Sequence, residues 1–303
     1  MRTFAIGLAM FLAAVQTVPP DTEVFVAPLS VRGGTVTIGT PVNISNNAGY
    51  DNQPSFTPDG SSVLFTSVRG GRKPDPANSA ATGSDIYRYD LTAQKLAQVT
   101  DTPESEYSPT VTPDGSHISV IRVEADGTQR LWRFGLDGKS PRLVLPDVKP
   151  VGYHAWADAN TLALFVLGQP ATLQVADVRT GKTEIVAKGI GRSIQKMPGG
   201  AISFVVRETA EGQPPTLTVT ELNTNTRQTR ALVRVPAGAT EADTAWTPDG
   251  LLLVSASGAL LGWRKGEPEL KAVADIAALG LRGVTRLAVS PKGDRIAIVA
   301  QPK

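Results

Sequence analysis

The chain contains no cysteine. That excludes disulfides, zinc–thiolate centres, a cysteine nucleophile and a lipid anchor carried on a thiol. Histidine is almost as scarce, at two residues, so no histidine-based metal triad can be built. Net charge is nearly absent: 30 basic residues against 28 acidic ones leave +2. Such a balance leaves no electrostatic footprint for nucleic acid or an anionic membrane surface. Sequence signatures of hydrolases and nucleotide binders are missing too. There is no Gly-x-Ser-x-Gly elbow, and Arg69-Gly-Gly-Arg72 lacks the lysine of a phosphate loop.

Long apolar runs are confined to one, Phe4 to Val15, which follows Arg2. A basic residue, a short apolar stretch and then small and polar residues are the order of a secretory signal peptide. The expectation is a signal peptide over residues 1–20 and a single mature domain over 21–303, periplasmic or secreted, with no transmembrane segment. An apolar first element of the fold is the alternative.

Turn formers are abundant, with 29 glycines and 23 prolines. They fall in a repeat. Pro54-Ser-Phe-Thr-Pro-Asp-Gly60 recurs as Pro109-Thr-Val-Thr-Pro-Asp-Gly115, as Thr244-Ala-Trp-Thr-Pro-Asp-Gly250 and, more loosely, as Leu287-Ala-Val-Ser-Pro-Lys-Gly293. Degenerate copies stand at His154-Ala-Trp-Ala-Asp-Ala-Asn160 and Ile194-Gln-Lys-Met-Pro-Gly-Gly200. The anchors Pro58, Pro113, Asp158, Pro198, Pro248 and Pro291 are spaced by 55, 45, 40, 50 and 43 residues, the length of a propeller blade. Proline presets φ at the first corner, Asp bonds the backbone at the next, and Gly takes the positive φ. Asn160 stands where the other copies have Gly, and Asn is the next most tolerant residue there.

Each motif is followed by an apolar run, such as Ser62–Ser67 or Leu251–Val254. These runs are too apolar to have one wet face, as expected of a strand packed between neighbouring sheets. Third and fourth strands follow, best seen at Asp85-Ile-Tyr-Arg-Tyr-Asp-Leu91 and Lys95–Thr100. In the fifth unit Leu270–Val273 reads as an outer strand, while Glu269 to Leu279 also reads as a short helix. The last motif is followed by one strand only, and two spare strands, Glu23–Ala27 and Thr35–Ile38, precede the first. Joined, they complete a ring of six four-stranded blades. The fold expectation is therefore all-β, a six-bladed β-propeller closed by its N-terminal strands.

The aromatic-Thr/Ser-Pro-Asp-Gly anchor, followed by a β run and Asp-Ile-Tyr-x-Tyr-Asp-Leu, resembles the WD-like blade repeat of TolB-type propellers, without the α/β domain that precedes the propeller in TolB. Related blades occur in the propellers of prolyl-oligopeptidase-like enzymes. The likeness runs over residues 23 to 303 and implies a periplasmic module whose partner is an envelope protein or peptide.

In a propeller the first strand of each blade lines the central channel. Aligned motifs place Asp51, Gln53, Glu106, Ser108, Tyr153, His154, Ser193, Glu241, Asp243 and Arg286 at its mouth, with an apparent acidic excess. Those carboxylates are expected to grip a basic group of a partner, to hold Ca²⁺ as the one candidate cofactor, or to be solvated or paired with Arg192 and Arg286. His154 is expected to touch a ligand or to pack as a satisfied core residue, and His117 to be exposed. The leading expectation is a non-catalytic binding module. A carbohydrate- or small-ligand-binding lyase or hydrolase that uses the mouth carboxylates is the alternative. The insertion Lys73–Gly83 reads as a loop that shapes a binding surface or as a tolerated insertion.

Overall fold

The computed structural model describes residues 20–69 and 83–302. The signal-peptide expectation and nearly all of the Lys73–Gly83 insertion lie outside these residues. The described chain contains strands and no helix, and hence no helix long and apolar enough to cross a membrane.

The strands form six antiparallel sheets arranged as the six blades of a propeller. In chain order the inner strands are Asp51–Phe56, Ser105–Val111, Val151–Trp156, Ile190–Lys196, Asp243–Trp246 and Arg286–Val289, for blades 1 to 6. Blades 1 to 5 each run outward in sequence order through four strands. Blade 6 takes its two inner strands from the C-terminus, Arg286–Val289 and Arg295–Ala300, and its outer strands from the N-terminus. Glu23–Arg32 pairs with Arg295–Ala300 in the register Phe25 opposite Ile298. On its other side it pairs with Thr35–Ile38 and with the short strand Val42–Asn43. The closing strand is ten residues long, reaching further than the spare run read from the sequence. In blade 5 the outer strand is Lys271–Ala274, so the helical reading of Glu269–Leu279 is set aside.

The second strand of each blade shows why these runs are apolar on both faces. All six residues of Ser62–Ser67 are buried. Val63 and Phe65 pack with Val24, Val26 and Val299 of blade 6, while Leu64 packs with Ile118 and Val120 of blade 2. The two-residue period of a strand thus alternates between two neighbouring blades rather than between core and water. Blade 5 repeats the pattern: Leu252 and Val254 face blade 4, and Leu253 faces blade 6. Six apolar clusters fill the six gaps between blades.

The repeated turn is a small hydrogen-bonded unit. In blade 1, Thr57 Oγ1 donates to Asp59 Oδ1 at 2.6 Å, the Ser61 amide donates to the same oxygen, and the Gly60 amide donates to the Thr57 carbonyl. Gly60 sits at φ +71°, where a Cβ would be strained. Donation from Thr57 and Ser61 holds the Asp59 carboxyl down at about 2. Blade 2 repeats this with Thr112, Asp114 and Ser116. Blade 3 closes differently. There Asp158 Oδ1 accepts from the amides of both Asn160 and Thr161, and Asn160 is not among the residues with positive φ. The expectation that Asn160 takes the glycine conformation is therefore corrected: the aspartate caps both amides directly, and no left-handed residue is needed.

Candidate functional site

The inner strands surround a central cavity of about 850 Å³. Its open end is ringed by the repeated turns, including Pro58, Pro113, Pro198, Pro248 and Pro291. Apolar side chains line its wall, among them Phe56, Trp156 and Trp246. Both indole N–H groups are committed elsewhere, Trp156 to Ser119 and Trp246 to Ser203.

The floor is built by one position per blade: Gln53, Ser108, Tyr153, Ser193, Asp243 and Arg286. Each stands five residues before the turn anchor of its blade, and none belongs to the apolar clusters between blades. Blades 1 and 2 reach this arrangement through bulges. The pairing register slips between Asn52 and Ser55 and between Tyr107 and Thr110. Gln53 and Ser108 are left at φ +56° and +53°, an uncommon conformation for residues with a Cβ. The Asn52 side-chain oxygen accepts the Gln53 amide at 2.8 Å and supports the turn of the chain.

A contact crosses the channel between opposite blades. Arg286 Nη2 donates to the Tyr153 hydroxyl at 2.9 Å, and its guanidinium lies 5.2 Å from the centre of the Tyr153 ring. Arg286 Nη1 donates to Asp243 Oδ1 at 2.9 Å and to the Thr285 carbonyl at 2.8 Å. Asp243 Oδ2 lies 3.5 Å from Arg192 Nη2, and Arg192 reaches on to Glu241 at 2.9 Å. Burial pushes the Asp243 carboxyl up, and the Arg286 and Arg192 charges pull it back. Burial also raises the nearby Tyr50 phenol. Arg192 and Asp243 line a second cavity of about 300 Å³ as well, on the side away from the repeated turns. Together they form a partition between the two openings.

The remaining sequence candidates lie elsewhere. Asp51 and Glu106 stand at the opposite ends of their strands, outside the cavity wall, with fully buried side chains. Asp51 accepts from Arg69 at 2.9 Å and from Asn47 at 2.9 Å. Glu106 accepts from Thr102 at 2.6 Å and lies 3.2 Å from Arg122. Its other oxygen has no hydrogen-bond partner among the described residues, and burial pushes its carboxyl up to about 7. Glu241 is exposed and lines only the smaller cavity. His154 is on the wall but buried. Ser119 Oγ accepts from Trp156 and donates to the Thr110 carbonyl. The Nε2–H of His154 is therefore the group that donates to Ser119, at 2.8 Å, which leaves Nδ1 a bare acceptor with no partner among the described residues. Burial lowers the His154 pKa to about 4, so the ring is neutral. His117 is half-buried rather than exposed, with Nδ1 2.6 Å from Ser116 Oγ.

The charge of the cavity differs from the acidic excess read in the sequence. Its charged wall residues are Arg192, Lys196, Arg286 and Asp243. Among the described residues no three His, Cys, Asp or Glu side chains gather as a metal site would need. Sequence reasoning missed Arg69 and Arg122 as the clamps on Asp51 and Glu106. The pairing of Arg122 opposite Glu106 depends on the bulge between Tyr107 and Thr110, since counting outward from the turn sets Arg122 opposite Tyr107.

No family model matches the chain, and no curated protein matches it in sequence. Solved structures match it in fold. The structure titled putative TolB from Agrobacterium tumefaciens superposes with a TM-score of 0.68 at 15% identity, over 93% of this chain and 99% of that one. TolB from Acinetobacter baumannii gives 0.56 at 13% identity, over 93% of this chain and 65% of its own length. An oligogalacturonate lyase in complex with manganese gives 0.51 at 14% identity, over 95% and 99%. At such identities the likeness is one of fold, a propeller of the TolB kind, and fold alone does not carry an activity.

Proposed function

We propose that this chain is an exported, non-catalytic propeller that binds a segment of an envelope protein or peptide in its central cavity, on the face formed by the repeated turns. The observation that carries this reading is the cavity itself: about 850 Å³, open at the turns, with Phe56, Trp156 and Trp246 on its wall and a ring of polar side chains at its floor. That is the usual distribution in a binding pocket, where apolar walls supply area and a few polar groups fix orientation. Its groups are poorly placed for acid–base chemistry. The one carboxylate on the wall among the described residues, Asp243, is held between two guanidiniums, and the His154 ring is buried and neutral.

The test is site-specific photocrosslinking in the source cells. A photoreactive residue replaces exposed Lys196 on the cavity wall, or exposed Thr240 beside the smaller cavity. A discrete protein adduct from position 196 and none from position 240 is the expected result. Adducts from position 240 alone, or from neither, refute the reading. The alternative is a small-ligand enzyme, favoured by the propeller shared with the oligogalacturonate lyase structure. It requires turnover of a glycan that disappears in Asp243→Asn.

A further inference from the structure

The floor of the cavity is unequally supplied with donors and acceptors. Its two strong acceptors are already used. Asp243 offers its oxygens to Arg286 and Arg192. Gln53 Oε1 accepts from Thr66 Oγ1 at 2.9 Å and from the Ser108 amide at 3.0 Å. What is left is donors. The half-buried Gln53 engages Thr66 and Ser108 through its oxygen, which leaves its amide nitrogen to face the cavity, and Ser108 Oγ is buried with no hydrogen-bond partner among the described residues. Tyr153 accepts from Arg286, and its hydroxyl donates to no partner among the described residues. Arg286 has three protein partners, Asp243, Thr285 and Tyr153, for the five N–H groups of a guanidinium.

These four side chains belong to consecutive blades around the ring, 6, 1, 2 and 3. The bond between Arg286 and Tyr153 closes their arc across the channel. The other arc is internally satisfied, since Ser193 Oγ is 2.9 Å from Thr244 Oγ1 and accepts the Thr244 amide at 3.0 Å. A buried donor without an acceptor is costly, so an occupant of the floor is selected for acceptors. A cation finds the carboxylate of the floor, Asp243, already engaged by two guanidiniums.

We infer that Arg286, Gln53, Ser108 and Tyr153 form a receptor for a carboxylate, presented by an acidic side chain or the C-terminus of the peptide segment that enters the cavity. This rests on the peptide-binding reading above, but the two can fail separately. The carboxylate accepts from the guanidinium and the phenol on one side and from the amide and hydroxyl on the other, while the rest of the segment covers the apolar wall. Asp243 keeps Arg286 oriented and offsets part of its charge, which lets an anion bind and leave.

The experiment is calorimetric titration of the mature protein with four probes. They are acetyl-Gly-Glu-Gly-amide, its Gln counterpart, glutarate and inorganic phosphate. The acidic peptide is expected to bind about tenfold or more tightly than the Gln peptide, the effect of one charge-assisted hydrogen-bond set. That preference is expected to vanish in Ser108→Ala/Tyr153→Phe, which removes two donors and leaves the Arg286–Asp243 pair intact. Should that variant fail to fold, the contrast between the Glu and Gln peptides on the native protein decides alone. Binding of glutarate without either peptide upholds the carboxylate receptor and removes the peptide reading. Equal binding of the two peptides upholds the peptide reading and overturns the receptor. Tighter binding of phosphate than of glutarate, or no binding by any probe, also overturns it.

Discussion

Glu106 is expected to make the folded protein less stable as the pH rises, because burial raises its carboxyl in the folded state. Its carboxyl is buried, one oxygen is satisfied by Thr102 and faced by Arg122, and the other has no hydrogen bond among the described residues. Burial moves it from an ordinary 4.5 to about 7 in the folded state. Below the unfolded value both states hold the proton, and the shift contributes nothing to the pH dependence. Between the two values the folded protein keeps the proton while the unfolded chain has released it, so stability falls as pH rises. Above the folded value the loss is complete, about 3 kcal/mol at about 1.4 kcal/mol per pH unit. Glu106→Gln is neutral throughout and removes this limb. Arg122 retains Glu104 and its stacking on Trp132 in the variant. Urea denaturation of both proteins at pH 4.5 and pH 8 isolates the effect, because titrating groups not coupled to Glu106 cancel in the difference. The variant is expected to gain about 3 kcal/mol on the native protein between the two conditions. Parallel stability curves for the two proteins would refute the assignment of a burial-dominated Glu106.

Other predictions follow from packing, pairing and backbone geometry. Arg69→Met leaves the fully buried Asp51 without its guanidinium and is expected to cost about 3–5 kcal/mol in urea melts. Arg179→Met breaks an exposed pair with Asp177 and is expected to cost less than about 1 kcal/mol; equal losses would contradict the burial argument. Gly138→Ala places a Cβ against the Val99 carbonyl at a positive φ, whereas Gly115→Ala has the same φ problem in open space. The former is expected to lower the melting temperature well beyond the latter, which bears only the conformational cost of about 1–2 kcal/mol. Phe25→Ala in the closing strand opens the interface between blades 5 and 6. It is expected to cost about 3–5 kcal/mol, with protease sensitivity appearing first at the N-terminal strands.

The blades were legible because their signals are local. A Thr-Pro-Asp-Gly turn carries its own mechanism in four residues, and the structure places Thr57, Asp59 and Gly60 in the roles that chemistry requires. Ring closure was legible because two unpaired strands at one end matched two missing at the other. The polarity of the channel was not legible. Asp51 and Glu106 sit two residues from Gln53 and Ser108, yet the bulges at Asn52 and Tyr107 carry one set to the cavity floor and leave the other buried outside it. Nothing in the motif announces a bulge. The contact between Arg286 and Tyr153 spans 133 positions and depends on the ring having six blades, so it becomes visible only after the whole fold is assembled.

That separation between a repeated frame and a variable floor explains why likeness of fold says so little about ligand. The blade's own stability resides in its turn and in the doubly buried second strand, such as Val63, Leu64 and Phe65. The floor position of each inner strand belongs to none of the apolar clusters between blades. Six such positions hold Gln, Ser, Tyr, Ser, Asp and Arg, a set that no repeat would produce if packing dictated it. Substitution there changes the donor and acceptor inventory of the channel at little cost to the frame, whereas substitution in the second strand opens a cavity between two sheets. A propeller can therefore keep its architecture at 15% identity while the chemistry at its centre is rewritten. In this chain that chemistry amounts to donors awaiting an acceptor, with Asp243, the single carboxylate on the wall among the described residues, already enclosed by arginine.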